Sequence, residues 1–250
     1  MSLKIIHTAD WHLGQTFFGY DREEEHDAFL NWLVDTLAEQ QTDVLLIAGD
    51  VFDVANPSAS AQRRFFHFLK EANRRNPHLQ VIVVAGNHDS AARLESPIPL
   101  LEELNTSIVG IIRRTESGEI DFDSLVIPLY NKEKKREGWC LAVPYLRQGD
   151  YPAPEEGHDT YIAGINRMYR QLYDFADARR QPGEALVAMG HLHATGAELS
   201  DDDRSERIIM GGLESVSSDT FDEGLAYTAL GHIHKAQRIG GWENLRYSGS

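Results

Sequence analysis

Apolar and polar positions alternate along this chain in a pattern that predicts strands and helices in turn. Leu3 to Thr8 reads as a buried strand ending at Ala9-Asp10. Asp21 to Gln40 reads as a helix, because acidic residues crowd its first turn and Phe29, Leu33 and Leu37 recur at four-residue spacing. Asp43 to Ala48 is a second short apolar run, followed by Gly49-Asp50. Ser58 to Arg75 predicts a second helix with Phe65, Phe66 and Leu69 on its inner face. Leu79 to Ala85 predicts a third strand, followed by Gly86-Asn87-His88-Asp89. Strands that stay apolar over their whole length and alternate with helices imply crossovers and an α/β layered core.

The middle of the chain changes character. Glu119 to Tyr130 and Trp139 to Tyr145 read as strands around a polar turn, Asn131 to Gly138. Thr160 to Arg180 predicts a helix carrying Ile162, Ile165, Met168, Tyr169, Leu172 and Phe175. Ala185 to Met189 and Tyr227 to Leu230 are further strands, each followed by Gly-His, and Asn244 to Ser250 reads as a last strand. The acidic stretch Ser200 to Glu206 reads as a solvated loop. No repeat, low-complexity segment or linker interrupts residues 1–250, so one domain is expected.

Composition narrows the function classes. Hydrophobic content of 42% and charged content of 25% are ordinary for a globular protein, and no run approaches the length of a membrane span. The N-terminus lacks a signal-peptide pattern, and the single cysteine, Cys140, excludes an intrachain disulfide and a cysteine-rich zinc site. Both features lead to the expectation of a cytoplasmic location without membrane attachment. A net charge of −15 argues against tight unaided DNA binding. It does not argue against chemistry on DNA, because bound divalent cations reverse the local field.

Five predicted strands end in ligand-type residues. In chain order these are Asp10-x-His12, Gly49-Asp50, Gly86-Asn87-His88-Asp89, Gly190-His191-x-His193 and Gly231-His232-x-His234. In α/β sheets ligands bind beyond the carboxyl ends of strands, so five such ends can supply one ring of donors. Mixed carboxylate, imidazole and amide oxygen suit Mn²⁺, Fe or Zn²⁺ better than Mg²⁺ or Ca²⁺. The donors outnumber the needs of one ion, whereas two ions about 3.5–4 Å apart and sharing a carboxylate match a known hydrolytic design. Asp50, central in the order, is the natural shared ligand. Taken singly, Asp50 could equally cap a helix, and His191 or His232 could be a hydrogen-bonded core histidine.

The ordered set D-x-H, G-D, G-N-H-D, H and G-H-x-H resembles the signature of the calcineurin-like metallophosphoesterases. Within them, the stretches HTADWHLG, AGDVFDVANPS, VVAGNHDS, LGHIHKAQ and YSGS are similar to the SbcD nuclease subunits, the bacterial counterparts of the Mre family. The resemblance implies a β-sandwich flanked by helices. It implies that Asp10, His12 and His234 hold one ion, that Asn87, His191 and His232 hold another, and that Asp50 bridges them. It gives His88 the role of non-ligand catalytic residue above the scissile phosphate, oriented by Asp89. It further implies two divalent ions, with manganese expected, DNA as substrate, an SbcC-like ATPase as partner, and a homodimer for which helix Ser58 to Arg75 is a possible face. Members of that group continue past YSGS into a capping domain and an ATPase-docking segment, so the expectation here is the phosphoesterase core alone. A cyclic-nucleotide or phosphoprotein phosphoesterase is the competing function.

Several residues keep two readings at this level. His193 copies the ligand spacing, but one histidine is expected from its strand. Asp53 either touches substrate or caps the following turn. Trp11 and Phe17 either stack on an unpaired base or pack their loop. His7 is expected to face the core, and Arg63, Arg64, Arg74 and Arg75 to form a solvated helix face.

Overall fold

A computed structural model describes residues 3–152, 161–198 and 215–250. The acidic stretch 200–206 lies outside the described residues. The first half contains β1 (Ile5–Thr8), a small hairpin of β2 (Thr16–Phe17) and β3 (Tyr20–Asp21), α1 (Glu23–Glu39), β4 (Val44–Ala48), α2 (Ala59–Arg75), β5 (Gln80–Val84), the short α3 (Ala91–Glu95) and α4 (Ile98–Leu101), and β6 (Thr106–Val109). The second half contains β7 (Val126–Tyr130), β8 (Arg136–Ala142), α5 (Tyr161–Asp177), β9 (Ala185–His191), β10 (Tyr227–Gly231), β11 (Gln237–Arg238) and β12 (Leu245–Tyr247).

Two sheets result. One is a parallel sheet in the order β1-β4-β5-β6. The other runs β11-β12-β10-β9-β8-β7 and is mixed, with β12, β10, β9 and β8 parallel and both edges antiparallel. Strand periodicity sets the layers. On β4, Val44, Leu46 and Ala48 face the core shared with the second sheet, whereas Leu45 and Ile47 face α1 and α2. Burial on both faces explains why these strands read as unbroken apolar runs. Ile165, Met168, Tyr169 and Leu172 of α5 close the far side of the second sheet. The architecture is therefore a two-sheet sandwich between helical layers, and the expected α/β class holds.

Boundaries shift for physical reasons. Asp21 belongs to the hairpin, and α1 begins at Glu23 with Glu23, Glu24 and Glu25 in its first turn, where negative charge complements the helix dipole. Ser58 is the N-cap of α2, its hydroxyl accepting the Ala61 amide at 3.1 Å. The buried stripe of α2 is Ala61, Phe65, Phe68, Leu69 and Ala72, so Phe68 takes the inner place expected of Phe66. Of the segment from Glu119, only Val126–Tyr130 is strand, preceded by a 3₁₀ turn at Phe122–Ser124. The arginines of α2 are not all a solvated face. Arg64 pairs with Glu23 and Asp27, and Arg75 with Asp35, linking α2 to α1.

Candidate metal centre

The donors converge because parallel strands of both sheets end on one side. Asp10 and His12 follow β1, Asp50 follows β4, Asn87 and His88 follow β5, His191 ends β9, and His232 and His234 follow β10. The loop after β1 runs beside the loop after β4: the Asp10 amide donates to the Gly49 carbonyl and the His12 amide to the Asp50 carbonyl, both at 3.0 Å. Asp10, His12, Asp50 and His232 all have positive φ, at 56°, 45°, 48° and 100°. Non-glycine residues there carry strain of about 1–3 kcal/mol each and persist when their surroundings over-determine them. These cross-loop hydrogen bonds are such surroundings.

The glycines act in two ways. Gly49 adopts φ of 91° directly before Asp50. Gly86 is required for space instead: a Cβ there would lie 2.0 Å from Asp50 Oδ1. The close approach of the two loops at Gly86 emerges only in three dimensions.

All seven expected ligands are gathered, in two clusters. In the first, His12 Nε2 lies 3.2 Å from His234 Nε2, and Asp10, His12 and His234 each offer a donor within a 4.8 Å group. In the second, the Asn87 carbonyl oxygen lies 2.9 Å from His191 Nε2 and 3.0 Å from His232 Nδ1. Asp50 Oδ2 touches both, at 3.1 Å from His191 Nε2 and 3.9 Å from His12 Nε2. His191 Nδ1 donates to the Ala48 carbonyl at 2.8 Å, which fixes the tautomer and turns Nε2 inward. The His232 amide donates to the Asp10 carboxylate at 2.9 Å.

Electrostatics in the bare cluster are those of crowded acceptors. Burial, reinforced by Asp50, raises the Asp10 carboxyl to about 6 against the pull of His191 and His234. Burial would also raise Asp50, but the His191 imidazole overrides it and holds that carboxyl below its usual range. Burial would lower His191, yet the Asp50 and Asp10 carboxylates lift it to about 9. A proton on His191 thus offsets part of the negative charge.

The residues fit a pair of divalent cations. Asp50 Oδ2 is buried with His191 Nε2 3.1 Å away but no well-aligned hydrogen bond, a place that a cation shared with the neighbouring donors would fill. The nearby donors are imidazole, carboxylate and amide oxygen, a set suited to mid-row transition ions.

His88 and Asp89 are placed differently from expectation. His88 Nδ1 donates to the main-chain carbonyl of Asp53 at 2.8 Å. Its ring stands at 87° to that of His12, 4.9 Å away between centroids, and it shares a donor group with His12 and Asp50. Asp89, by contrast, is buried and accepts the amides of Gly86 at 2.9 Å, Phe52 at 3.0 Å and Val51 at 3.2 Å. Burial and the neighbouring Asp50 raise its carboxyl to about 6, with those amides opposing. The expected Asp89–His88 pairing is therefore replaced: Asp89 ties the Asp50 loop to the Asn87 loop, and a carbonyl orients His88.

The remaining residues resolve as follows. His193 joins none of the donor groups among the described residues. Trp11 is buried, edge-on to Phe29, Phe65 and Phe68, so it packs its loop. Phe17 is 64% exposed, beside Phe18 and Tyr20, which are also exposed. His7 bonds Tyr227 across the two sheets through Nδ1 at 3.1 Å. Asp53, left open by the sequence, places Oδ1 3.4 Å from His12 Nδ1. Among the described residues no helix is long and apolar enough to cross a membrane.

Comparison with known proteins adds to this geometry. The chain is 41% identical to a protein of Rhodobacter capsulatus named as the SbcD subunit of nuclease SbcCD, over 99% of this chain and 62% of the relative. It is 36% identical to the Escherichia coli K12 protein of that name, covering 60% of it, and 32% identical to the Bacillus subtilis one, covering 61%. The chain thus spans about three fifths of the length of these relatives. Residues 3–236 match the profile of the calcineurin-like phosphoesterases, a stretch that contains every gathered donor, and the chain belongs to that family.

Proposed function

We propose that this chain is the catalytic core of a metal-dependent DNA phosphodiesterase, the nuclease subunit of an SbcCD-like complex. The observation that carries the reading is the double donor cluster joined at Asp50 with the imidazole of His88 beside it. Likeness to three nucleases over almost the whole chain supports a phosphodiester of nucleic acid as the substrate. In this reading Asp10, His12 and His234 hold one ion, Asn87, His191 and His232 hold the other, and Asp50 serves both. When bound, two divalent cations, manganese among the best matches to these donors, supply concentrated positive charge and an activated water.

The chain's own groups perform the rest. A carbonyl can only accept, so the Asp53 carbonyl keeps the proton on His88 Nδ1 and leaves Nε2 as the working atom. Protonated there, His88 donates to a phosphate oxygen as charge gathers on it, then passes the proton to the leaving oxygen. Asp89 keeps the loops of Asp50 and His88 in register through its three amide contacts. Cys140 takes no part: it is buried, and burial pushes its thiol far above the ordinary range. The exposed Phe17, Phe18 and Tyr20 on the β2–β3 hairpin, a few residues beyond His12, suit stacking on unpaired bases.

The finer parts of the proposal are exonuclease action on duplex ends, endonuclease action on single strands and hairpins, a partner ATPase, and a cytoplasmic setting. A homodimer is included, with the α1–α2 surface as its face. A groove of about 390 Å³ there is floored by Leu30, Val34 and Phe68 and rimmed by Arg63, Arg64 and Glu71.

The test compares substrates for the purified chain with Mn²⁺. Single-stranded DNA and bis(p-nitrophenyl) phosphate should be hydrolysed, and Asp50→Asn should abolish both activities. Turnover of cyclic nucleotides or phosphopeptides with DNA left intact would assign the centre to small-molecule or phosphoprotein chemistry instead.

A further inference from the structure

We infer that Asp53 is a positioning residue for two histidines of the metal centre, its carboxylate orienting His12 and its main-chain carbonyl orienting His88. The inference rests on the metal-centre reading above and deepens it.

The geometry is specific. His12 turns Nε2 toward His234 Nε2, 3.2 Å away, and toward Asp50 Oδ2, 3.9 Å away. Its other nitrogen, Nδ1, lies 3.4 Å from Asp53 Oδ1. The 3.4 Å contact is not a well-aligned hydrogen bond, but a carboxylate can only accept, so its charge favours the tautomer with hydrogen on Nδ1 and a lone pair on Nε2, the form that ligates an ion. The same residue's carbonyl takes the His88 Nδ1 hydrogen at 2.8 Å. The two rings stand nearly perpendicular, 4.9 Å apart, so one residue fixes both orientations. The N-cap of α2 is Ser58, so that helix makes no demand on the Asp53 carboxylate. Its own amide donates to the Leu13 carbonyl at 3.4 Å, which ties its loop to the one carrying His12.

A contrast within the site gives the inference its handle. His191 is oriented by the main-chain carbonyl of Ala48, which no side-chain substitution removes. His12 is oriented by a side chain that is 27% exposed. Substitution at Asp53 should therefore weaken the ion held by His12 and spare the one held by His191.

The experiment is a calorimetric Mn²⁺ titration of the whole chain and of Asp53→Ala, Asp53→Asn and Asp53→Glu, alongside the pH profile of kcat. Wild type should bind two ions. Asp53→Ala should weaken one of them by about 10–100-fold, in line with loss of an orienting partner, and leave the other within about twofold. Asp53→Asn, which keeps the size and an accepting oxygen, should fall between, and it carries the test should the alanine variant not fold. Asp53→Glu should recover part of the affinity. kcat should fall across the pH range in Asp53→Ala and recover in part in Asp53→Glu. Equal affinities in wild type and Asp53→Ala, or equal weakening of both ions, would overturn the role of Asp53. Fewer than two ions in wild type would overturn the metal-centre reading beneath it, a distinct result.

Discussion

The two donor clusters around Asp50 are built to different standards. Around Asn87, His191 and His232 the contacts are 2.9–3.1 Å, and His191 is buried and oriented by a main-chain carbonyl. Around Asp10, His12 and His234 the contacts between side chains are 3.2–3.9 Å, and His12, although buried, is oriented by a side chain at the rim. The tight cluster draws on strands in the middle of both sheets, β5, β9 and β10, whereas the loose one begins on the edge strand β1. Central strands are held on both sides and cannot shift without breaking two ladders. An ion among Asn87, His191 and His232 is therefore expected to be held more firmly, and one among Asp10, His12 and His234 to exchange first.

The largest expected effect comes from disturbing the junction between them. Gly86→Ala drives a methyl group against Asp50, so it should lower Tm by roughly 5–10 °C and remove turnover. Thermal scans and bis(p-nitrophenyl) phosphate assays would check it, and near-wild-type values for both would show that the loops part easily.

Next come the paired ligand deletions. His191→Ala should cost about 100-fold in Mn²⁺ affinity for the ion expected beside Asn87, whereas His234→Ala should affect only the other ion, expected to bind more weakly. Equal losses in a metal titration would erase the distinction between the clusters.

The smallest effect concerns His7, at the β1 edge away from the tight cluster. Burial lowers its pKa from 6.5 to about 4, against a smaller lift from the Leu230 backbone. The unfolded chain binds this proton below 6.5 and the fold resists it until about 4. The contribution is present above pH 6.5 and is lost as pH falls through that window, by up to roughly 3 kcal/mol. Denaturant unfolding of wild type and His7→Gln at pH 7 and pH 4.5 should show a flatter pH dependence for the variant. Parallel curves would remove His7 as a source of acid sensitivity.

Much of this arrangement was legible in residue order. Strands such as Val44–Ala48 and Gln80–Val84 are buried on both faces, so they announce themselves as apolar runs, and their polar successors mark the strand ends that meet. The partners of polar side chains were not legible, because they depend on loops far apart in sequence. Asp89 sits next to His88, and adjacency suggested a pair, but its carboxylate satisfies three amides of two crossing loops. Asp53 showed nothing in its own neighbourhood, since its target His12 is delivered by another strand. Division of the strands between two sheets was equally hidden, because both faces of β4 and β5 are apolar whichever layer covers them.

Anomalous diffraction from crystals grown with Mn²⁺ tests the central claim most directly. Two peaks are expected, one among Asp10, His12 and His234 and one among Asn87, His191 and His232, both touching Asp50, with the first lower in occupancy when Mn²⁺ is limiting. A single peak, or peaks away from Asp50, would contradict the account.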